Sequence, residues 1–133
     1  MIKIKNYILL LLVTTLFFGC PNDDELPIEQ EVLEDVSYEL LFWEFTPDTG
    51  NNTIRLNYQI EFFNPNSVAV NGFYKITQNA DGLQTSLLST NFSPCYQIEA
   101  ESSCIFTFDE EDSIDIAMVN NIEFVSAEYL IEN

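Results

Sequence analysis

Chemistry in this chain of 133 residues would fall to carboxylates, hydroxyls and thiols, because it holds 22 Asp and Glu, four Lys and Arg, and no His. Without histidine the commonest general base is missing. The densest run of carboxylates is Asp109-Glu110-Glu111-Asp112-Ser113-Ile114-Asp115. Closely spaced oxygen donors are what Ca²⁺ takes, and Asp109, Glu111 and Asp112 are the candidate ligands. The run lacks the glycine and the alternate-position spacing of an EF-hand loop, so a solvated acidic turn is the favoured reading. Glycoside hydrolysis needs two carboxylates at a set separation in a cleft, one of them held protonated by an apolar pocket. Acids scattered over turns supply neither, and the chain reads as a non-enzyme that needs no cofactor.

The first nineteen residues read as a separate unit. Lys3 and Lys5 precede an uncharged, mostly apolar run from Tyr7 to Phe18, and Gly19 stands before Cys20. A positive start, an apolar core of this length and a small residue at the cut describe a secretory signal peptide. The run is shorter than the roughly 20 residues a membrane-spanning helix needs. Leu16-Phe17-Phe18-Gly19-Cys20 resembles a bacterial lipobox, with Phe17 where such boxes usually carry leucine. The Cys20-Pro21-Asn22-Asp23-Asp24-Glu25 that follows is similar to the acidic surface-export signal of Bacteroidota lipoproteins. The resemblance implies lipidation of Cys20, Asp23, Asp24 and Glu25 as the export signal, and a lipid anchor in the outer membrane facing the cell exterior. With two or more acyl chains such an anchor is stable, whereas one chain holds only marginally.

If Cys20 carries lipid, Cys95 and Cys104 remain as a pair in an exported, oxidising setting, and a disulfide between them is expected. Metal ligation by two cysteines in a chain without histidine is improbable chemistry.

All 22 acidic residues follow Cys20, but only Arg55 and Lys75 of the four basic ones do, so the part from Cys20 onward has a formal charge of −20 before its termini are counted. Phosphate neutralisation needs clustered Lys and Arg, which excludes nucleic acid as a partner class. A positively charged partner would be drawn to such a surface.

Three segments follow from these patterns: a signal peptide at 1–19, a lipidated cysteine and acidic tether at 20–35, and a β domain at 36–133. In the domain, Val36 to Phe45 alternates at first and then turns apolar on both faces, as expected of a strand with a bulge or one covered on both sides. Ile54, Leu56, Tyr58, Ile60 and Phe62 share one face of the clearest strand. Asn64-Pro65-Asn66 breaks it, and alternation resumes through Val68, Val70, Gly72, Tyr74 and Ile76. Asp81-Gly82 marks a hairpin turn into a Ser/Thr-rich strand at 83–90. A loop at 91–103 leads to alternation at Cys104, Phe106 and Phe108; the acidic turn follows, with a short helical turn expected at Ile114 to Val119. The last strand places Val125, Ala127, Tyr129 and Ile131 on one face.

About seven short strands with turn signals between them predict an antiparallel immunoglobulin-like β-sandwich, ahead of a small open barrel. The segment Tyr58 to Gly72 resembles the strand, Asn-Pro-Asn break and strand of late-embryogenesis type-2 sandwich domains, which are immunoglobulin-like and have no enzymatic activity. That resemblance implies the same fold here. Trp43, Tyr74 and Tyr96 are the candidates for facing outward, where they would stack on a sugar or anchor a protein, with ordinary burial the favoured reading.

The expected function is a lipid-anchored, surface-exposed binding or scaffolding module whose partner is an envelope protein or a glycan. The alternatives are an acidic inhibitor or immunity lipoprotein against a basic enzyme such as lysozyme, and a carbohydrate-binding surface module. A partner-facing sheet edge should be apolar with few charges. A glycan platform needs two or three coplanar aromatics.

Overall fold

A computed structural model describes residues 32–114 and 118–132. Seven strands follow one another: β1 (Ser37–Thr46), β2 (Thr53–Asn64), β3 (Val70–Ala80), β4 (Leu83–Leu88), β5 (Gln97–Ile98), β6 (Ser102–Ser113) and β7 (Ile122–Ile131). They build two antiparallel sheets. One has the order β1-β2-β6; in the other, β3 pairs with β4, β5 and β7. The chain passes between sheets at β2–β3, β5–β6 and β6–β7, and the result is the expected β-sandwich, not an open barrel.

The period-two face of β2 sets the core. Ile60 and Phe62 are wholly buried, and Leu56 and Tyr58 lie beside them. They meet Val70, Tyr74 and Ile76 of β3 and Ala127 and Tyr129 of β7 across the gap between sheets. Two bulges decide which other side chains join. In β1 the pairing shifts between Leu40 and Phe42, so Leu41 is the extra residue and the parity reverses. Leu40, Trp43 and Phe45 then all pack on the core, which explains the apolar residues on both faces of that sequence. In β7 the shift falls opposite Thr77 and Gln78, at Val125. Phe124 and Ala127 therefore both turn inward and Val125 turns out, at 43 % exposed, contrary to the expected uniform face.

Asn-Pro-Asn does more than break β2. Asn64 is fully buried, and its amide donates to the carbonyls of Val68 (2.8 Å), Glu99 (3.0 Å) and Ile98 (3.3 Å). Its Oδ1 accepts from the backbone and side-chain nitrogens of Asn66. Asn66 in turn exchanges two hydrogen bonds with the backbone of Glu34 (2.7 and 2.9 Å). Buried polar groups persist only when satisfied, and here the satisfaction ties the incoming chain, the β2–β3 connection and the β5–β6 turn together.

The acidic run and the loop at 91–103 depart from expectation. The acidic run is no turn: Asp109 to Ser113 continue β6, paired with Thr53 to Asn57 of β2. Ladder pairing, not apolar alternation, carries the strand through these residues. Ile114, Met118 and Val119 lie in no helix; the middle of the expected helical turn, 115–117, lies outside the described residues. The loop at 91–103 also contains a short strand, β5.

Candidate binding site

The sandwich is closed along one side; along the other it is pinned at one end by a disulfide and open toward the far end. On the closed side β1 meets β7. Trp43 stacks on Tyr58, with ring centroids 4.4 Å apart, tilts against Phe124, and donates its indole N–H to the carbonyl of Ile122 at 2.9 Å. Trp43, Tyr58 and Phe108 lie directly opposite one another on three adjacent strands, which turns the register into a continuous aromatic stack. Burial pushes the Tyr58 hydroxyl well above its ordinary pKa, the nearby Tyr74 adding to the effect.

The disulfide between Cys95 and Cys104 is present, with Cα atoms 5.6 Å apart, and links the segment before β5 to β6 of the opposite sheet. Beside it, the Tyr129 hydroxyl donates to the carbonyls of Tyr96 (2.7 Å) and Cys95 (3.1 Å). Burial pushes the Tyr129 pKa up to about 12. Gly72 lies against the Tyr129 ring and the Leu130 backbone so closely that a β-carbon there would collide with both.

Toward the other end the sheets part and leave a cleft of about 160 Å³. Leu56, Tyr58 and Phe108 form its apolar floor, Leu87 of β4 stands on one lip, and Glu110 and Asp112 of β6 stand on the other. Strand parity puts these two acids there: they continue the inward face that begins with Phe106 and Phe108, and both remain exposed.

Beside the cleft runs β4. Among the described residues it pairs with β3 and with no other strand. All six of its residues are exposed, Leu83 at 67 % and Leu88 at 64 %, and Phe92 just beyond is at 92 %. From Gly82 to Ile98 the chain has no charged residue at all, in a protein that otherwise bristles with carboxylates. Exposed edges are normally guarded by charge, proline or a bulge because their free backbone groups invite another strand. Here Asp81, at the tight turn before β4, is committed elsewhere. It accepts from the backbone of Asn120 and Asn121, which holds its pKa below the ordinary carboxylate value.

The free groups of the edge can be assigned. Ser89 donates to the Tyr74 carbonyl (3.0 Å), and an antiparallel ladder alternates hydrogen-bonded and free positions. Leu87, Thr85 and Leu83 therefore bond to β3, while Gln84, Ser86 and Leu88 point their N–H and C=O groups away from it.

Of the three aromatics singled out for the surface, two follow the favoured reading and pack into the core. Tyr74 is 2 % exposed and packs on Phe62 and Phe106. Trp43 is half-buried in the closed seam, because the Leu41 bulge turns it inward. Only Tyr96 lies toward the surface, packed on Phe73, with its hydroxyl donating to the Glu132 carboxylate. The three do not form one platform. The acids proposed as calcium ligands are likewise separated, since alternation along β6 puts Asp112 on the opposite face from Asp109 and Glu111. Asp109 is held by a two-pronged pairing with Arg55 (both contacts 2.7 Å), and hydrogen bonding to that guanidinium lowers its pKa. No group of three metal-ligating side chains comes together among the described residues. Cys20, Asp23, Asp24 and Glu25 lie outside the described residues.

The β4 edge was not singled out from sequence, although its signal was present: a charge-free window of seventeen residues in a chain with 22 acids. The cleft had no such signal, since it depends on how far β6 extends. Compared with protein-family models, with curated proteins and with solved structures, the chain matches none.

Proposed function

We propose that this chain is a non-enzymatic binding or scaffolding module of a cell envelope, held to the outer membrane by lipid on Cys20 and presenting its sandwich to a protein partner. The β4 edge is the observation that carries the reading. Among the described residues its outer side meets no strand, and it is uncharged and lined by exposed leucines, which is the form of a sheet edge that receives a partner. A protein partner is favoured over a glycan because Trp43 and Tyr74 are spent on the core and offer no coplanar pair outside. The high negative charge keeps such a module soluble at the surface, and the uncharged strip is where another chain can approach without opposing carboxylates.

The test is capture from a solubilised native envelope on the immobilised full-length protein, run beside the Ser86→Pro variant. A stoichiometric envelope protein retained by the first and lost by the second is the expected result. Equal retention on both, or no retained protein, contradicts the reading.

A further inference from the structure

The edge and the cleft are neighbours, and together they specify more than a generic contact. We infer that they take an extended peptide segment of a positively charged partner protein, added as a strand along Leu83–Leu88, with apolar side chains closing the cleft and Lys or Arg among them on the same, inward face. This deepens the function proposed above and rests on it.

The backbone part follows from the free groups. Gln84, Ser86 and Leu88 offer three N–H donors and three carbonyl acceptors in one row, spaced as a further antiparallel or parallel strand requires. Pairing there would set the new strand about 4.8 Å beyond β4. Its inward side chains would extend the face made by Leu83, Thr85 and Leu87. That places them over the cleft whose floor is Leu56, Tyr58 and Phe108.

The charge part follows from the opposite lip. Glu110 and Asp112 are the carboxylates on the cleft lining, and neither is paired with Arg55 or Lys75, which are bound to Asp109 and Glu128. A Lys or Arg in the added strand can lay its stem on the apolar floor and bring its charge to these acids. An acidic segment would meet them with repulsion. A second copy of this chain is disfavoured for the same reason. Each copy has a formal charge of −18 as the full sequence, and its own edge supplies no cation between Gly82 and Ile98.

Inward-pointing charges also serve to guard an edge against indiscriminate pairing. At this cleft the guard is selective. It turns away neutral and acidic strands more than basic ones.

Three octapeptides test the inference on the full-length protein, each with its Val and charged residues on one strand face: a Lys-Val peptide (Val-Ser-Lys-Ser twice), a Glu-Val peptide (Val-Ser-Glu-Ser twice) and a Lys-Ser peptide (Ser-Ser-Lys-Ser twice). The Lys-Val peptide is expected to bind, to slow amide exchange at Gln84, Ser86 and Leu88, and to weaken as salt rises. The other two should bind about tenfold less tightly or worse, a difference of about 1.4 kcal/mol. Ser86→Pro removes one outward N–H without removing a ladder bond to β3, and should abolish the exchange protection. Ser86→Lys keeps the backbone intact but sets a cation on the edge, and should weaken the Lys-Val peptide as well. Glu110→Gln with Asp112→Asn should cost it about three- to tenfold, as exposed charge pairs do.

Equal binding of the Glu-Val peptide overturns the charge argument, and equal binding of the Lys-Ser peptide overturns the role of the cleft. Protection away from β4, or concentration-dependent self-association through β4, overturns the occupant. If the peptides fail while an envelope protein is still captured in a Ser86-dependent way, the strand chemistry is wrong and the module reading stands. If no envelope protein is captured, the module reading itself falls.

Discussion

Trp43 donates its indole N–H to the backbone carbonyl of Ile122 across 2.9 Å, joining the first strand to the last, which belong to different sheets. This bond and the stacking on Tyr58 shut one side of the sandwich. On the opposite side the Cys95–Cys104 disulfide ties the sheets at one end, and at the other end the cleft opens between Leu87 and Glu110. The Trp43 seam and the disulfide hold the sheets together, and the open end is where we propose that the partner docks.

Trp43→Phe retains an aromatic ring but leaves the Ile122 carbonyl without its donor, and is expected to cost about 1–3 kcal/mol. Trp43→Ala, which also empties the stack, should cost about 3–5 kcal/mol. Urea unfolding measures both. Equal stability of Trp43→Phe and the parent would show that the bond contributes nothing.

Asn64 should tolerate no replacement. Asn64→Ala strips the carbonyls of Val68, Ile98 and Glu99 of their shared donor, and about 2 kcal/mol or more should be lost. Asn64→Asp puts a carboxylate oxygen against those same carbonyls. Its stability should therefore fall further at neutral pH than near pH 4, where protonation restores a donor. A variant whose stability relative to the parent does not change between the two pH values contradicts this account.

The alkaline limb of stability follows from buried tyrosines. Tyr129 has its pKa raised by burial to about 12 from an ordinary value of 10, and Tyr58 and Tyr74 shift the same way for the same reason. Below pH 10 the phenols are protonated in both states and their contribution is whole. As pH rises from 10 toward about 12 the unfolded chain ionises first, so stability falls through that window. Tyr129→Phe should be less stable at pH 7, having lost its bonds to Cys95 and Tyr96, yet fall less steeply above pH 10. Parallel curves for variant and parent would contradict the assignment.

How far these features were legible in the sequence depended on what encoded them. Alternation from Ile54 to Phe62 marked β2, and the doubled apolar faces near Trp43 marked the β1 bulge, because burial leaves its period in the residue types. The β7 bulge left none: Val125 and Ala127 are both apolar, and only the pairing with Thr77 and Gln78 shows that they face opposite ways. Asp109 to Ser113 read as a turn because strands held by a neighbour's ladder need no apolar face. Asn64 read as turn chemistry, since its type is the same in a solvated bend and in a buried plug.

The anchor is tested independently of the domain. Cys20→Ser is expected to release the protein from the membrane fraction. Replacing Asp23, Asp24 and Glu25 by Ala should hide it from protease added to intact cells. If the triple variant stays equally accessible, that segment is not an export signal.

The most direct measurement of the central claim is amide hydrogen exchange at Gln84, Ser86 and Leu88, in the protein alone and in complex with the envelope protein it captures. The account predicts fast exchange alone, since these N–H groups face away from β3, and strong protection in the complex while Thr85 and Leu87 change little. Unchanged exchange along β4, with protection appearing elsewhere on the sandwich, would contradict it.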